Sequence, residues 1–106
     1  MTAFPDPESK PAAQKAATAS VRLRHQTGLH ARPAVKLTKL AKKFSARILI
    51  AILPDGPWID AKSIVKVMAT KTPQDALLHF RAEGDDAEAA VLALVALVEQ
   101  DFPDVG

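Results

Sequence analysis

The spacing of apolar residues changes from strand-like to helical near residue 30, and this change restricts the fold more than any other feature of the chain. Val21 and Leu23 alternate with arginines, which is the period of a half-buried β-strand. Over the following segment the apolar residues recur at the i, i+3, i+4, i+7 spacing of an amphipathic helix, at Leu37, Leu40, Ala41 and Phe44. The pattern therefore predicts a strand followed by a helix that covers it.

The rest of the chain continues this alternation of strands and helices. The next predicted elements are a strand at 47–53, a hairpin turn at 54–57 and a short strand that begins at Trp58. A short helix follows, which is capped within 60–63 and ends near Ala69. The last two elements are a strand at 78–83 and a helix at 87–98, which Asp85 or Asp86 caps. The order β-α-β-β-α-β-α predicts an α+β domain with helices packed on one face of one sheet.

Length and composition exclude several classes of protein. The 106 residues suffice for one domain with one core. No cysteine is present, which excludes disulfides and thiolate chemistry, and the three histidines lack ligand spacing, so we expect no metal site and no cofactor. The longest apolar runs, 48–53 and 89–98, are too short to cross a bilayer, and the first residues lack the apolar core of a signal peptide. We expect a cytoplasmic protein with no membrane insertion.

The first residues differ in composition from the remainder of the chain. Residues 1–19 are rich in Ala, Pro, Lys and Ser, with Phe4 as the only aromatic side chain. Such a segment buries too little apolar area to offset the entropy of ordering it. We therefore predict a flexible N-terminal extension over 1–19 and a folded domain over 20–106.

Charge is distributed unevenly between the two halves. Residues 1–53 contain ten basic and two acidic residues, a net charge of +8, whereas residues 54–106 contain four basic and ten acidic residues, a net charge of −6. Such polarity is typical of a protein that meets a partner of opposite sign. Nucleic acid is an unfavourable candidate, because Trp58 is the only Trp, Tyr is absent and no aromatic residue is interleaved with the basic helix residues.

A histidine stands at the start of the first predicted helix. His30 precedes Ala31, Arg32 and Pro33, and Gly28 permits a close turn before it. The N-terminus of a helix offers free backbone N–H groups and a partial positive charge, which favour phosphate, and neutral imidazole can act as a nucleophile near pH 7. On these residues alone two interpretations stand: a phosphate-accepting histidine, or a substitute for an N-cap residue that bonds to the backbone.

Two segments of the chain resemble the signatures of a known family. Residues 27–34, TGLHARPA, resemble the active-site signature of HPr, the histidine-containing phosphocarrier of the phosphoenolpyruvate-dependent phosphotransferase system. Residues 60–68, DAKSIVKVM, resemble the segment around the family's regulatory serine. The resemblance extends over about 20–102 and implies an open-faced β-sandwich, with a four-stranded antiparallel sheet and three helices on one face.

The resemblance also implies roles for individual residues. His30 would accept a phosphoryl group on Nδ1 from phosphorylated enzyme I, with Arg32 assisting and Ala31 and Arg32 binding the phosphate. An enzyme IIA-type domain would be the next acceptor, so the protein would be a monomeric carrier rather than a stand-alone catalyst. The residues that the resemblance places in partner docking are Val35, Lys39, Lys42, Ile64, Val65 and Met68.

Ser63 has two interpretations. Its position suits an N-cap of the short helix, whereas the resemblance implies a site for a serine kinase/phosphorylase. Lys66 stands where the family often has a small residue, and the hairpin is longer than usual. These departures leave open a nitrogen-type regulatory or dihydroxyacetone-kinase-linked paralogue that acts by phosphorylation-dependent docking.

Three other features of the sequence lie outside the two signatures. Leu49, Leu53 and Trp58 have two interpretations: an apolar patch on the open face of the sheet, or a few scattered apolar residues at the surface. His25 and His79 are predicted to be plain surface residues.

Overall fold

Strands and helices alternate along the chain in the predicted order. The computed structural model describes residues 15–25, 28–29 and 31–103. The elements are β1 (Ala16–Arg22), α1 (Ala31–Ala41), β2 (Arg47–Ala51), β3 (Ile59–Asp60), α2 (Ile64–Ala69), β4 (Leu77–Glu83) and α3 (Ala87–Glu99).

The four strands form one antiparallel sheet in the order β1-β4-β2-β3. Ser20 is opposite His79 in the β1–β4 pair, and Ile50 is opposite Phe80 in the β2–β4 pair. The first strand of the chain is therefore an edge strand, and it is joined to the sheet through the last strand. The three helices pack on one face, which confirms the predicted open-faced α+β architecture.

The core lies between this covered face of the sheet and the helices. Ile48, Leu78 and Phe80 point inward from the sheet and are fully buried, and they meet Leu37 of α1 and Leu94 of α3. Full burial of each such side chain contributes about 1.5–3 kcal/mol. This layer fixes the positions at which α1 and α2 begin, where the sequence places its two signatures.

The predicted boundary of the domain at residue 20 is wrong. β1 begins at Ala16, and Ala16 to Ala19 pair with residues 80–83 of β4. Ala17 and Ala19 are half-buried and pack against the core beneath α3. The composition of this segment led to the wrong boundary because small side chains are enough to fill the space between an edge strand and a helix that lies close to it. The part of the predicted extension over 1–14 lies outside the described residues.

The predicted bounds of the hairpin are also wrong. β2 ends at Ala51 rather than Leu53, and β3 begins at Ile59 rather than Trp58. Pro54 and Pro57 lack the N–H groups that a continued ladder requires. The connection instead turns out of the sheet, where the Gly56 N–H donates to Leu53 O at 2.9 Å.

Asp86 occupies the N-cap position of α3, as one of the two predicted caps, but its side chain makes no capping hydrogen bond. Its carboxylate accepts from the backbone N–H of Ser45 at 2.9 Å and of Ala46 at 2.8 Å. The Ser45 N–H lowers the pKa of Asp86 below its ordinary value; partial burial opposes this effect and the Ala46 N–H adds to it. Asp86 thus joins the start of α3 to the turn that follows α1.

Within the described part of the chain, each helix is too short or too polar to cross a membrane.

Candidate functional site

The segment before α1 is fixed by contacts with the segment after α2. Leu29 is buried, and its N–H donates to Thr72 O at 2.9 Å. Gly28 has a φ of +74°, and a Cβ there would collide with Thr72 O and lie 3.1 Å from Pro73. Only glycine fits this close approach without strain. The close approach of two backbone segments, rather than a side-chain contact, therefore holds residues 28–29.

His30, the predicted phosphoryl acceptor, lies outside the described residues. Both of its neighbours in the chain are described: the Leu29 N–H donates to Thr72 O, and Ala31 is the first residue of α1. The N-terminal end of an 11-residue helix therefore follows His30 directly in the chain.

The first turn of α1 suits an anion. It contains no acidic residue, and Ala31 and Arg32, the two predicted phosphate-binding residues, are both exposed. The first N–H groups of a helix have no partner within the helix, and its dipole stabilises a nearby anion by about 0.3–1 kcal/mol. Pro33 is buried in this turn. A backbone N–H at this position would have no partner within the helix, so the lack of one in proline costs no hydrogen bond.

The predicted docking residues lie on α1, directly after it at Lys42, and on α2, and the two helices contact each other. Val65 is 74% exposed, and Val35 and Met68 are each 40% exposed, which is unusual for large apolar side chains. Lys39 and Lys42 are exposed, and Ile64 is half-buried. The structure thus presents apolar and basic side chains from neighbouring elements to solvent.

Comparison with known proteins identifies the family. A model described as "PTS HPr component phosphorylation site" matches residues 17–100, which is most of the chain. The chain belongs to the HPr family.

HPr proteins are similar to this chain in sequence and in structure. Phosphocarrier protein HPr of Haemophilus influenzae is 39% identical over 71 residues, which cover 67% of this chain and 81% of that protein. The crystal structure of HPr-C-His from Thermoanaerobacter tengcongensis has a TM-score of 0.76 and 37% sequence identity, and the match covers 85% of this chain and 99% of that one.

A longer relative contains an HPr-like segment. The multiphosphoryl transfer protein of Vibrio cholerae is 44% identical over 86 residues, which cover 80% of this chain. The chain spans only 22% of the length of that protein.

Ser63 occupies the N-cap position of α2 in this HPr fold. Its backbone is extended, with φ −104° and ψ 108°, and its Oγ accepts from the Lys66 N–H at 3.3 Å. The capping interpretation is confirmed. A regulatory role for the hydroxyl remains a prediction.

The apolar patch predicted from Leu49, Leu53 and Trp58 is divided. Leu49 and Trp58 border a groove at the β2–β3 edge, whereas Leu53 borders a separate apolar cavity of about 390 Å³. The division follows from the connection between β2 and β3, which leaves the sheet after Ala51.

Sequence reasoning missed Thr72 as the residue that supports the segment before His30. Thr72 is buried, its carbonyl receives the Leu29 N–H, and its Oγ1 lies 2.6 Å from Thr70 Oγ1. The bond between Leu29 and Thr72 joins parts of the chain that are far apart in sequence, so no local pattern indicates it. Lys36 of α1 is half-buried and donates to Phe102 O at 2.8 Å.

The other two histidines have contacts within the described part of the chain. His25 forms an edge contact with Phe102, with ring centroids 6.0 Å apart. His79 Nδ1 lies 2.8 Å from Ser20 Oγ across the β1–β4 pair.

Proposed function

We propose that the chain is a phosphocarrier that accepts a phosphoryl group on His30 from phosphorylated enzyme I and passes it to an enzyme IIA-type domain. The observation that carries the proposal is the match of residues 17–100 to the HPr phosphorylation-site family, with His30 within the segment TGLHARPA. The first turn of α1 supports the proposal, because it follows His30 directly in the chain, contains no acidic residue and exposes Ala31 and Arg32.

The transfer requires a neutral imidazole. The Nδ1 lone pair of His30 attacks phosphorus, a new N–P bond forms, and the bond from phosphorus to the donor breaks with its electron pair leaving on the donor. The ring keeps its Nε2 proton during this step. Arg32 neutralises phosphate oxygens, and the end of α1 contributes about 0.3–1 kcal/mol, which is small enough to leave the phosphoryl group transferable.

Partner recognition rests on the surface of α1 and α2. Val35, Val65 and Met68 are exposed apolar side chains that can pack against an apolar partner surface. Lys39 and Lys42 are exposed cations that suit acidic groups at its rim. We propose that enzyme I and the IIA-type domain use this same surface in turn, which a monomeric carrier requires.

Phosphorylation of variants by enzyme I and phosphoenolpyruvate tests the acceptor. We expect His30→Ala to lack the acid-labile phosphate that mass spectrometry detects on the unmodified chain. His79→Ala is the matched control and keeps it. Arg32→Ala slows the transfer and leaves the thermal midpoint unchanged. Acid-labile phosphate on His30→Ala would place the acceptor elsewhere and refute the proposal.

A panel of purified acceptors separates the carrier from the regulatory alternative. We expect phosphate to move from the phosphorylated chain to at least one IIA-type domain. If no IIA-type domain is phosphorylated, and an unrelated regulator binds only the chain phosphorylated on His30, the regulatory function replaces the one proposed.

A further inference from the structure

A groove of about 680 Å³ lies at the β2–β3 edge of the sheet, beside the start of α2. It is bordered by Arg47, Leu49, Trp58, Asp60, Lys62 and Lys66, among others, and we call it the Trp58 groove. Its volume lies within the range of about 300–1,000 Å³ that is typical of small-molecule sites. Ser45, which follows α1, also borders it, so the groove lies near the end of α1 opposite to His30, roughly 16 Å along an 11-residue helix.

The residues that border the groove carry more positive than negative charge. Arg47, Lys62 and Lys66 border it with a single carboxylate, that of Asp60; Glu83 lies opposite Arg47 in the β2–β4 pair, does not border the groove and pairs with Arg81 at 3.5 Å. Lys62 Nζ donates to Phe44 O at 2.7 Å, which fixes this ammonium group without neutralising it. The side chains of Arg47 and Lys66 make no hydrogen bond or ion pair within the described part of the chain. Two unpaired cations at one groove favour an anion from outside.

Trp58 adds an aromatic surface beside these cations. It is half-buried, and its indole packs so closely on Gly56 that a Cβ there would lie 2.9 Å from Trp58 Cδ1. Gly56 has a φ of +95°, a conformation that glycine adopts without strain. The ring is therefore held in position before any ligand binds. Half-buried Leu49 extends the apolar side of the groove.

Asp60 gives the groove an acceptor suited to a hydroxyl group. Its Oδ1 accepts from the Lys62 N–H at 2.9 Å, which orients the carboxylate. A carboxylate disfavours a second anion close to it but accepts readily from a sugar hydroxyl. The groove thus combines an aromatic surface, a hydroxyl acceptor and two unpaired cations.

We propose that the Trp58 groove binds a nucleoside monophosphate. The base stacks on Trp58, a ribose hydroxyl donates to Asp60, and Arg47 and Lys66 bind the phosphate. Ser63 itself does not border the groove, whereas Lys66, whose backbone N–H donates to Ser63 Oγ, does.

The intrinsic fluorescence of the protein reports this site directly, because Trp58 is the only Trp and Tyr is absent. The probes are adenosine monophosphate, adenosine and inorganic phosphate, with excitation at the red edge of the indole band, where adenine does not absorb. We expect saturable quenching by the monophosphate, with an affinity at least about tenfold higher than that of either fragment, because only the whole ligand engages both the ring and the cations. Equal affinities for the monophosphate and inorganic phosphate would overturn the proposal.

A matched pair of double variants separates a site from general electrostatic attraction. Arg47→Ala with Lys66→Ala removes both unpaired cations, and Arg24→Ala with Lys43→Ala removes the same charge from exposed positions that do not border the groove. We expect the first pair to weaken binding about tenfold or more and the second to change it less than about twofold, with both thermal midpoints preserved. Equal weakening by the two pairs refutes the site. Binding of a polyglutamate peptide without a response to the monophosphate would assign the groove to protein docking instead.

Discussion

The backbone N–H of Leu29 donates to the carbonyl oxygen of Thr72 at 2.9 Å, and this bond ties the residue before His30 to the segment after α2. Gly28 makes the approach possible, since any Cβ there would occupy the space of Thr72 O. The position of the candidate site thus depends on the second half of the chain as well as on its own signature.

Substitution of Gly28 tests this dependence. We expect Gly28→Ala to lower the free energy of unfolding by about 1–3 kcal/mol, because alanine combines a positive φ with a collision at Thr72. The rate of His30 phosphorylation falls as well. Denaturant titration and a phosphorylation time course measure the two effects, and Leu92→Ala, at an exposed position of α3, is the control. An unchanged free energy for Gly28→Ala would contradict the geometry.

Asp86→Asn tests the bond between the start of α3 and the turn after α1. The pKa of Asp86 is lowered from its ordinary value of 3.8, so its ionised form stabilises the folded state above that value, and the stabilisation is lost as pH falls through the lower folded pKa. We expect the variant to have a lower thermal midpoint near pH 7 and the difference to shrink below about pH 4. Thermal scans across pH measure it. Asp85→Asn, at the exposed neighbouring position, is the control; a pH-independent difference would exclude this role.

Charge reversal on α1 tests the docking surface. We expect Lys39→Glu with Lys42→Glu to slow association with enzyme I and to reduce its dependence on salt, because rim charges act mainly on the association rate. The change in folding stability stays within about 1 kcal/mol, since both side chains are exposed. Stopped-flow binding at several ionic strengths measures the effect, with Lys15→Glu and Arg24→Glu beside β1 as the control. Equal association rates for the two double variants would show that Lys39 and Lys42 are not part of the interface.

Ser63 variants distinguish a cap from a switch. Ser63→Asp keeps an oxygen that can accept from the Lys66 N–H, so we expect an unchanged thermal midpoint. The carboxylate that this substitution introduces lies next to exposed Val65 on α2. Because a new negative charge there disfavours docking, we expect phosphoryl transfer from enzyme I to fall severalfold. Ser63→Ala lowers the free energy of unfolding by about 1 kcal/mol or less and leaves transfer nearly unchanged. If both variants transfer like the unmodified chain, Ser63 is only a cap.

Local patterns predicted most of the fold. The alternation around Phe80 and the helical stripes of α1 and α3 indicated their elements because each buries one face on the same core. A cap was one of the two interpretations of Ser63, it followed from residue type and position, and the structure confirms it. These features depend on residues close together in the chain.

Features that depend on contacts between residues distant in the chain could not be predicted from the sequence. Ala17 and Ala19 carry too little apolar surface to indicate a strand, and only the cover of α3 makes them part of the sheet. The carboxylate of Asp86 was expected to cap its own helix, yet it binds N–H groups of the turn after α1. Neither arrangement has a local signal.

The strand order β1-β4-β2-β3 has a consequence for synthesis on the ribosome. β1 ends at Arg22, whereas β4, its partner among the described strands, begins at Leu77, so β4 leaves the exit tunnel well after β1. Sheets built on such distant pairings form slowly. The segment around residues 28–29 also waits for Thr72. We therefore expect a nascent chain that contains His30 to become competent for phosphorylation only after translation has passed β4.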